Sequence, residues 1–284
     1  SGDLRRNGGD LEVKYIRGFL MAWGCFCRIP CPYRKWNEDD RYAMLNMFPF
    51  VGLMLGVLAC IAWYMLDLLG TGGLLSGGIL TALYFWMTGF IHLDGFMDCS
   101  DAVLSRRPLA ERQRILKDSH VGAFAVISLA FMLILFTVSM TVIAEEFSLR
   151  KAAVLCVIFM VSREMSAYSV INRKPMTTSQ YGDLSSHSCN ERGLPGIAAV
   201  TAAGLIMIVL SGSGLAAGAG EQSMFSVSAF FINIWIVLIQ AALMAVIGQR
   251  MREQLGGMNG DISGYMIVSG ELAGVVMMAV AAGI

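Results

Sequence analysis

Three carboxylates define the chemistry open to this chain. Asp94, Asp98 and Asp101 stand in the run His92-Leu93-Asp94-Gly95-Phe96-Met97-Asp98-Cys99-Ser100-Asp101-Ala102, at positions i, i+4 and i+7. In a helix that spacing puts them on one face. At about 6 Å separation and an effective dielectric near 20, such charges repel by about 3 kcal/mol per pair. Each costs a further ~2.5–3.5 kcal/mol if it sits deep in a membrane. No Lys or Arg occupies the same face within a turn, so a cation is expected to neutralise them. Hard oxygen ligands favour Mg²⁺, with Mn²⁺ as a substitute, over zinc. Asp118 and Asp261 are candidates to complete the metal set. An ordinary solvated helix face would show the same triplet. The metal reading is favoured because Gly95, Phe96 and Met97 are embedded in the motif, which starts where an apolar run ends.

A basic stretch follows: Ser105-Arg106-Arg107-Pro108, then Arg112, Arg114 and Lys117 before Asp118 and Ser119. Carboxylates for a metal, followed by cations for phosphate oxygens, suit phosphoryl transfer. The same cations would also hold a loop in the cytoplasm. Inside otherwise apolar runs stand Arg163-Glu164 and Glu271, and such charges are costly there. Neighbours on a helix do not face each other. Arg163 is therefore expected to point at Glu271, at an Asp of the motif or at a bound phosphate, with a purely structural pair as the other reading. The late loop Leu255-Gly256-Gly257-Met258-Asn259-Gly260-Asp261 allows tight turns and close backbone approach at its glycines, and offers oxygen ligands at Asn259 and Asp261. It carries chemistry only if it faces Asp94. His92 and His120 flank the acidic motif and are candidate proton shuttles, ahead of His187.

These residues need elements to hold them. The chain has 284 residues, is 56% hydrophobic and 15% charged, and has a mean hydropathy of +0.63. Soluble domains carry about 25% charged residues, so a soluble enzyme is disfavoured and a polytopic bundle of membrane helices is expected. Continuous apolar runs, without short alternating segments, argue against a β-barrel. Seven runs approach the roughly 20 residues that cross a bilayer: Phe48–Leu69, Leu74–His92, Val121–Ala144, Ala152–Ile171, Leu194–Ser211, Ser226–Gly248 and Gly264–Ile284. Tyr15–Ile29 is shorter, ends at Pro30 and Pro32, and reads as an interfacial or re-entrant helix. Residues 1–14 read as a tail and 15–284 as one membrane-embedded catalytic domain. Ser1-Gly2, without a methionine, reads as a processing scar, and no cleavable signal sequence is expected. Ser211–Gly220 reads as a flexible connector. The seven cysteines suggest free thiols rather than a disulfide framework.

The net charge is zero, from 21 basic and 21 acidic residues. The basic residues are unevenly spread: eight in residues 1–47, five between the second and third runs, three after the fourth and two after the sixth, against Arg150 and Lys151 on the opposite side and Arg163 within a span. The positive-inside rule then puts the amino terminus and the acidic motif in the cytoplasm and the carboxyl terminus outside.

Taken in order, these fragments resemble the adenosylcobinamide-GDP ribazoletransferase (cobalamin or cobamide 5′-phosphate synthase) family. Arg28-Ile29-Pro30, Phe48-Pro49-Phe50-Val51-Gly52, His92-Leu93-Asp94-Gly95 with Asp98 and Asp101, Lys117-Asp118-Ser119-His120-Val121-Gly122 and Gly256-Gly257-Met258-Asn259-Gly260-Asp261 are similar to elements of that family. His120 stands where the family often has Arg, and Asn259 where Thr is common. The resemblance implies a Mg²⁺-dependent enzyme of the inner membrane that joins adenosylcobinamide-GDP to α-ribazole or its 5′-phosphate and releases GMP. On that reading Asp94, Asp98 and Asp101, with Asp118 or Asp261, hold the metal on the diphosphate. Arg28, Arg106, Arg107, Lys117, Ser119, Arg163, Asn259 and Gly260 bind substrate. A motif carboxylate or His92 takes the proton of the attacking ribose hydroxyl. The lipid bilayer is a partner and nucleic acid is not; homo-oligomers, or association with other corrinoid-assembly enzymes, stay open. Two alternatives are a CDP-alcohol phosphatidyltransferase-like lipid enzyme, whose full Asp-Gly-x2-Ala-Arg run is absent because Cys99 and Ser100 follow Asp98, and a polytopic cation or substrate transporter, which would show repeats.

Overall fold

The computed structural model describes residues 2–33, 35–177, 179, 204 and 227–282. Within them the chain is helical throughout: α1 (Gly2–Phe26), a 3-10 turn (Glu38–Asp40), α2 (Arg41–Leu68), α3 (Gly72–Met87), α4 (Ile91–Leu104), α5 (Leu109–Ile115), α6 (Ala123–Ile143), α7 (Leu149–Asn172), α8 (Val227–Leu255) and α9 (Gly260–Ala282). The one β-bridge among the described residues joins Pro175 to Met258. The all-helical membrane bundle expected from composition is what forms.

Five of these helices are long and apolar enough to cross a membrane: α2 with its leading turn, α6, α7, α8 and α9. The expected count of seven is not confirmed among the described residues. The run Leu74–His92 is not one straight span, because the chain breaks at Thr88–Phe90 and turns by 90° between α3 and α4. Gly89 (φ 64°) and Phe90 (φ 62°) both adopt the left-handed conformation there, which ends α3 and re-aims the chain. Counting that bent pair as one span gives six. The run Leu194–Ser211 and the connector Ser211–Gly220 lie outside the described residues, apart from Gly204. At the amino end α1 is not among the span-length apolar helices. It begins at Gly2, so the stretch read as a tail continues the helix, and it packs along α2. Arg17 clamps it there through the buried Asp40 at 2.7 Å.

α7 lies at the centre, packed against α2, α8 and α9, while α3 packs on α6 and α4 on α9. In its most apolar stretch 83% of α7 is buried, against 28% of α6 and 22% of α8. The outer helices expose Phe131, Ile134, Leu135, Trp235 and Leu238, side chains that suit contact with lipid rather than water.

The enclosed α7 carries a charge that must be answered. Arg163 is fully buried and pairs with Glu271 of α9. Its Nη2 donates to the Tyr84 hydroxyl of α3 at 2.7 Å, and its Nη1 donates to the Phe159 carbonyl at 3.1 Å. Glu271 Oε1 also accepts from the Tyr84 and Ser162 hydroxyls at 2.7 and 2.8 Å. The Tyr84 ring stacks on Phe159 with centroids 4.2 Å apart. Of the three partners open to Arg163 in sequence, Glu271 is the one it takes, and the pair ties α3, α7 and α9 together. The substrate-binding role expected of Arg163 gives way to this: a guanidinium with no exposed surface and a carboxylate already against it is committed to the fold. A buried pair stripped of one member leaves the other uncompensated, at a cost of about 3–5 kcal/mol. Glu271→Ala should therefore lower the melting temperature in detergent sharply, whereas Arg163→Met with Glu271→Leu should recover most of the loss; an unchanged melt for Glu271→Ala would show that the pair is dispensable.

Candidate active site

α4 presents its acidic face outward from the bundle. His92, Leu93, Gly95, Phe96, Cys99, Ser100 and Ala102 are buried, while Asp94 is exposed and Asp98 and Asp101 are half-buried. The i, i+4, i+7 spacing does place all three carboxylates on one side of one helix. α9 supplies the fourth. It crosses α4 so closely that a Cβ on Gly95 would lie 2.8 Å from the Asp261 carbonyl oxygen, and one on Gly264 would lie 3.0 Å from the His92 carbonyl oxygen. Only hydrogen at both positions permits this backbone contact, and the contact delivers Asp261 to the acidic face. Asp94, Asp101 and Asp261 are the charges that act on Asp98.

Asp261 sits in the first turn of α9, where the helix dipole favours a negative charge. Asn259 caps that turn: its Oδ1 accepts from the Ile262 N–H at 3.0 Å while its Nδ2 donates to Asp261 Oδ2 at 2.7 Å. Asn259, expected to bind substrate, thus holds Asp261 in place, next to the exposed Gly260. The Gly-rich loop is pinned from behind. The Met258 N–H donates to the Lys174 carbonyl at 2.9 Å, and the Met176 N–H donates to the Met258 carbonyl at 2.8 Å. Arg112 Nη1 reaches Gln254 Oε1 at 3.0 Å and Gln113 Nε2 reaches the Leu255 carbonyl at 2.8 Å, docking α5 on the end of α8. The ends of α4, α5, α7, α8 and α9 thereby meet at one end of the bundle.

Other expected site residues fall in distinct places. Asp118 is turned onto His120, accepting from its N–H at 3.0 Å and lying 2.7 Å from its Nδ1. These hydrogen bonds hold its carboxyl below the usual carboxylate range, and it is not among the charges acting on Asp98. Asp261 is the acid that the α4–α9 crossing sets beside the triplet. His92 departs from the proton-shuttle role. Its imidazole is buried between the rings of Phe26 and Phe48, each 5.9 Å away, and its Nε2 has no hydrogen-bond partner among the described residues. Arg106, Arg107, Lys117 and Ser119 are exposed on the loops flanking α5. Asp101 packs against the backbone of Gly122, at the end of the Lys117–Gly122 segment. Arg28 extends over the Trp86 ring at 5.5 Å, with its N–H donating to the Met87 carbonyl at 2.7 Å. Sequence reasoning misses Tyr84, a lone hydroxyl in an apolar run that only its partners mark out, and Gln113, which looks like an ordinary loop residue; Arg112, grouped in sequence with the phosphate-binding cations, here docks α5 on α8.

Among the described residues, no Lys or Arg forms an ion pair with Asp94, Asp98, Asp101 or Asp261. No three His, Cys, Asp or Glu side chains there are gathered at metal-ligating spacing. The donor chemistry nevertheless fits a hard divalent cation, since four neighbouring carboxylates lack any other counter-charge.

The profile of the cobalamin-5-phosphate synthase family matches residues 18–279. The chain belongs to the cobalamin-5-phosphate synthase family. It is 28% identical over 268 residues to the adenosylcobinamide-GDP ribazoletransferase of Clostridium perfringens (strain SM101 / Type A), covering 94% of this chain and 98% of that one. It is 30% identical over 260 residues to the enzyme of the same name from Clostridium botulinum (strain Alaska E43 / Type E3), covering 91% and 95%. The enzyme of that name from Lachnoclostridium phytofermentans is 26% identical over 273 residues, covering 96% and 97%. No solved structure matches the chain.

The crowding of like charge around Asp98 predicts a stability effect. With no cation added, neutralising Asp98 should relieve repulsion, so Asp98→Asn should melt higher than the natural protein in chelator. A lower melt would mean that Asp98 anchors the fold instead of serving a site.

Proposed function

We propose that this chain is an adenosylcobinamide-GDP ribazoletransferase working at the membrane surface, late in assembly of the cobamide nucleotide loop. The observation that carries the reading is the α4–α9 crossing at Gly95 and Gly264, which joins Asp261 to the Asp94, Asp98 and Asp101 face in a chain matched to its family over residues 18–279. That composite face suits a diphosphate donor better than a solvated acidic loop would, because its two halves come from segments far apart in sequence and are held together by packing. The lipid-enzyme and transporter alternatives are not favoured.

The reaction balances as a phosphoryl transfer. A ribose hydroxyl of α-ribazole, or of its 5′-phosphate, forms a new bond to the phosphorus attached to cobinamide; the bond from that phosphorus to the bridging oxygen breaks, and GMP departs with that oxygen. The hydroxyl proton goes to a carboxylate of the α4 face. His92 is shut away between two aromatic rings and is assigned to packing. Arg106, Arg107 and Lys117, exposed on the loops beyond α4, neutralise phosphate charge on the donor and on departing GMP. Asp94, Asp98, Asp101 and Asp261 would hold Mg²⁺, or Mn²⁺ in its place, which when bound supplies Lewis-acid charge neutralisation at the diphosphate. Asn259 and Gly260 keep Asp261 aimed at the site.

The excess of basic residues at the segments bearing this site supports a cytoplasmic face, with the amino terminus on the same side and the carboxyl terminus opposite, in the inner membrane. The meeting of the ends of α4, α5, α7, α8 and α9 on one side of the bundle is consistent with that reading.

GMP release from adenosylcobinamide-GDP by the protein in detergent tests the assignment. Asp94→Asn and Asp98→Asn should each lose about 10²–10³-fold or more in kcat, as removal of a principal electrostatic group does. Chelator should abolish release and added Mg²⁺ or Mn²⁺ restore it. His92→Phe should keep its rate within a few-fold. A well-folded Asp98→Asn protein with the natural rate would sink the site, and a thousandfold loss in His92→Phe would return the proton to His92.

A further inference from the structure

A second polar feature lies behind the Gly-rich loop. The ends of α7 and α8 border an open cavity of ≈ 640 Å³ whose lining includes Tyr168, Arg173, Lys174, Arg252, Glu253 and Gly257. Arg173 and Lys174 directly follow the last residue of α7, and Arg252 stands in the last turn of α8. Cations at helix carboxyl ends are ordinary, since they offset the dipole, and basic residues at cytoplasmic helix ends are ordinary too. Neither reason explains why three cations from two helices line one cavity. Among the described residues none of the three forms an ion pair. The charges of Arg173 and Arg252 act on each other unfavourably, with Glu253 offsetting part of this at Arg252, and a bound anion would relieve the rest. The single acid in the wall, Glu253, already accepts from Gln249 at 2.8 Å.

The charge balance narrows the ligand. Three cations against one carboxylate leave the wall with two positive charges. A phosphate monoester carries about −1.5 to −2 at neutral pH, and the phosphodiester of a simple phospholipid about half that. Position narrows it further. Gly257 of the wall and Asp261 of the acidic face are four residues apart, so that at most about 14 Å of chain separates them. The bonds from Met258 to Lys174 and Met176 hold that loop in place between the two. A ligand in the cavity therefore lies within reach of the reaction centre, across the Gly-rich loop from Asp261.

We propose that this cavity is a phosphomonoester subsite formed by Arg173, Lys174 and Arg252, and that it receives the 5′-phosphate of a phosphorylated acceptor, α-ribazole 5′-phosphate, whose ribose hydroxyl is then directed over the Gly-rich loop toward Asp94 and Asp98. The acceptor assignment rests on the function proposed above; the existence of a phosphomonoester subsite does not.

The test compares two acceptors and one simple anion. For Arg173→Gln, and for Arg252→Gln, KM for α-ribazole 5′-phosphate should rise at least tenfold with kcat within a few-fold, while KM for unphosphorylated α-ribazole stays unchanged. Ribose 5-phosphate, at matched ionic strength, should raise the melting temperature of the natural protein and not that of the doubly substituted protein. Equal KM increases for both acceptors, or no increase for either, would overturn the acceptor assignment. Loss of co-purified anionic phospholipid from the variants, with both KM values unchanged, would overturn it in favour of a lipid headgroup. If the natural protein releases no GMP with either acceptor, the proposed function fails while the ribose 5-phosphate shift still decides the subsite. Arg173 is exposed, so its substitution leaves the fold intact even if Arg252→Gln does not.

Discussion

A guanidinium sealed among apolar helices is the constraint on which the other arrangements depend. Arg163 has no water to turn to, and an unanswered charge there would cost far more than any single packing contact supplies. Glu271 answers it, and Tyr84 and Ser162 donate to the same carboxylate oxygen. Because the four groups come from α3, α7 and α9, none of these helices can slide along its axis without breaking the set. α9 in particular is fixed in depth. Ten residues separate Glu271 from Asp261, about 15 Å of helix, so the buried pair determines the level at which Asp261 emerges. α3 is fixed by Tyr84, and through the turn at Gly89 and Phe90 it determines where α4 begins.

The acidic face is thus built against its own electrostatics. Four carboxylates that repel one another are brought together by forces generated elsewhere: the ion pair inside the bundle, the glycine-to-glycine crossing, and the cap that Asn259 places on α9. Strain marks the boundaries of α4. Phe90 precedes it and Arg106 follows it, both with positive φ, and a non-glycine residue in that conformation costs of order 1–3 kcal/mol. A helix held at both ends by such turns keeps its acidic face at a set angle to α9. Strain and like-charge crowding in one place are the usual signature of a site whose ligand completes it.

The loop between α8 and α9 links two surfaces of opposite sign. On one side lie the carboxylates of α4 and α9, and on the other the cations that follow α7 and end α8. The short bridge between Met258 and Lys174 to Met176 keeps them apart, since a direct collapse would pair Asp261 with Arg173 or Lys174 and quench both. Keeping opposite charges separated within a few residues of chain is unfavourable in the empty protein and useful for an enzyme that must grip anions beside a cation site.

Much of this was legible from the chain alone. Low charge content and unbroken apolar runs determined a membrane bundle, because a bilayer forces the backbone to satisfy itself within helices. The i, i+4, i+7 spacing determined a shared face for Asp94, Asp98 and Asp101, because helical geometry is local. The motif order determined the family. What only the tertiary structure decided are the long-range choices. Arg163 had three possible partners and took Glu271, over 100 residues away. Asp261 joined the triplet because the Gly95–Gly264 crossing brings α9 to α4, while Asp118, nearer in sequence, is exposed and engaged with His120. His92, adjacent to the motif, turned into an aromatic cleft made by α1 and α2. The run Leu74–His92 reads as one span because hydropathy is blind to a left-handed turn, whose cost is met by the contacts of the helices on either side. Local spacing follows from covalent geometry, and sequence carries it; the choice among distant partners follows from packing in three dimensions, and sequence carries it only through the fold.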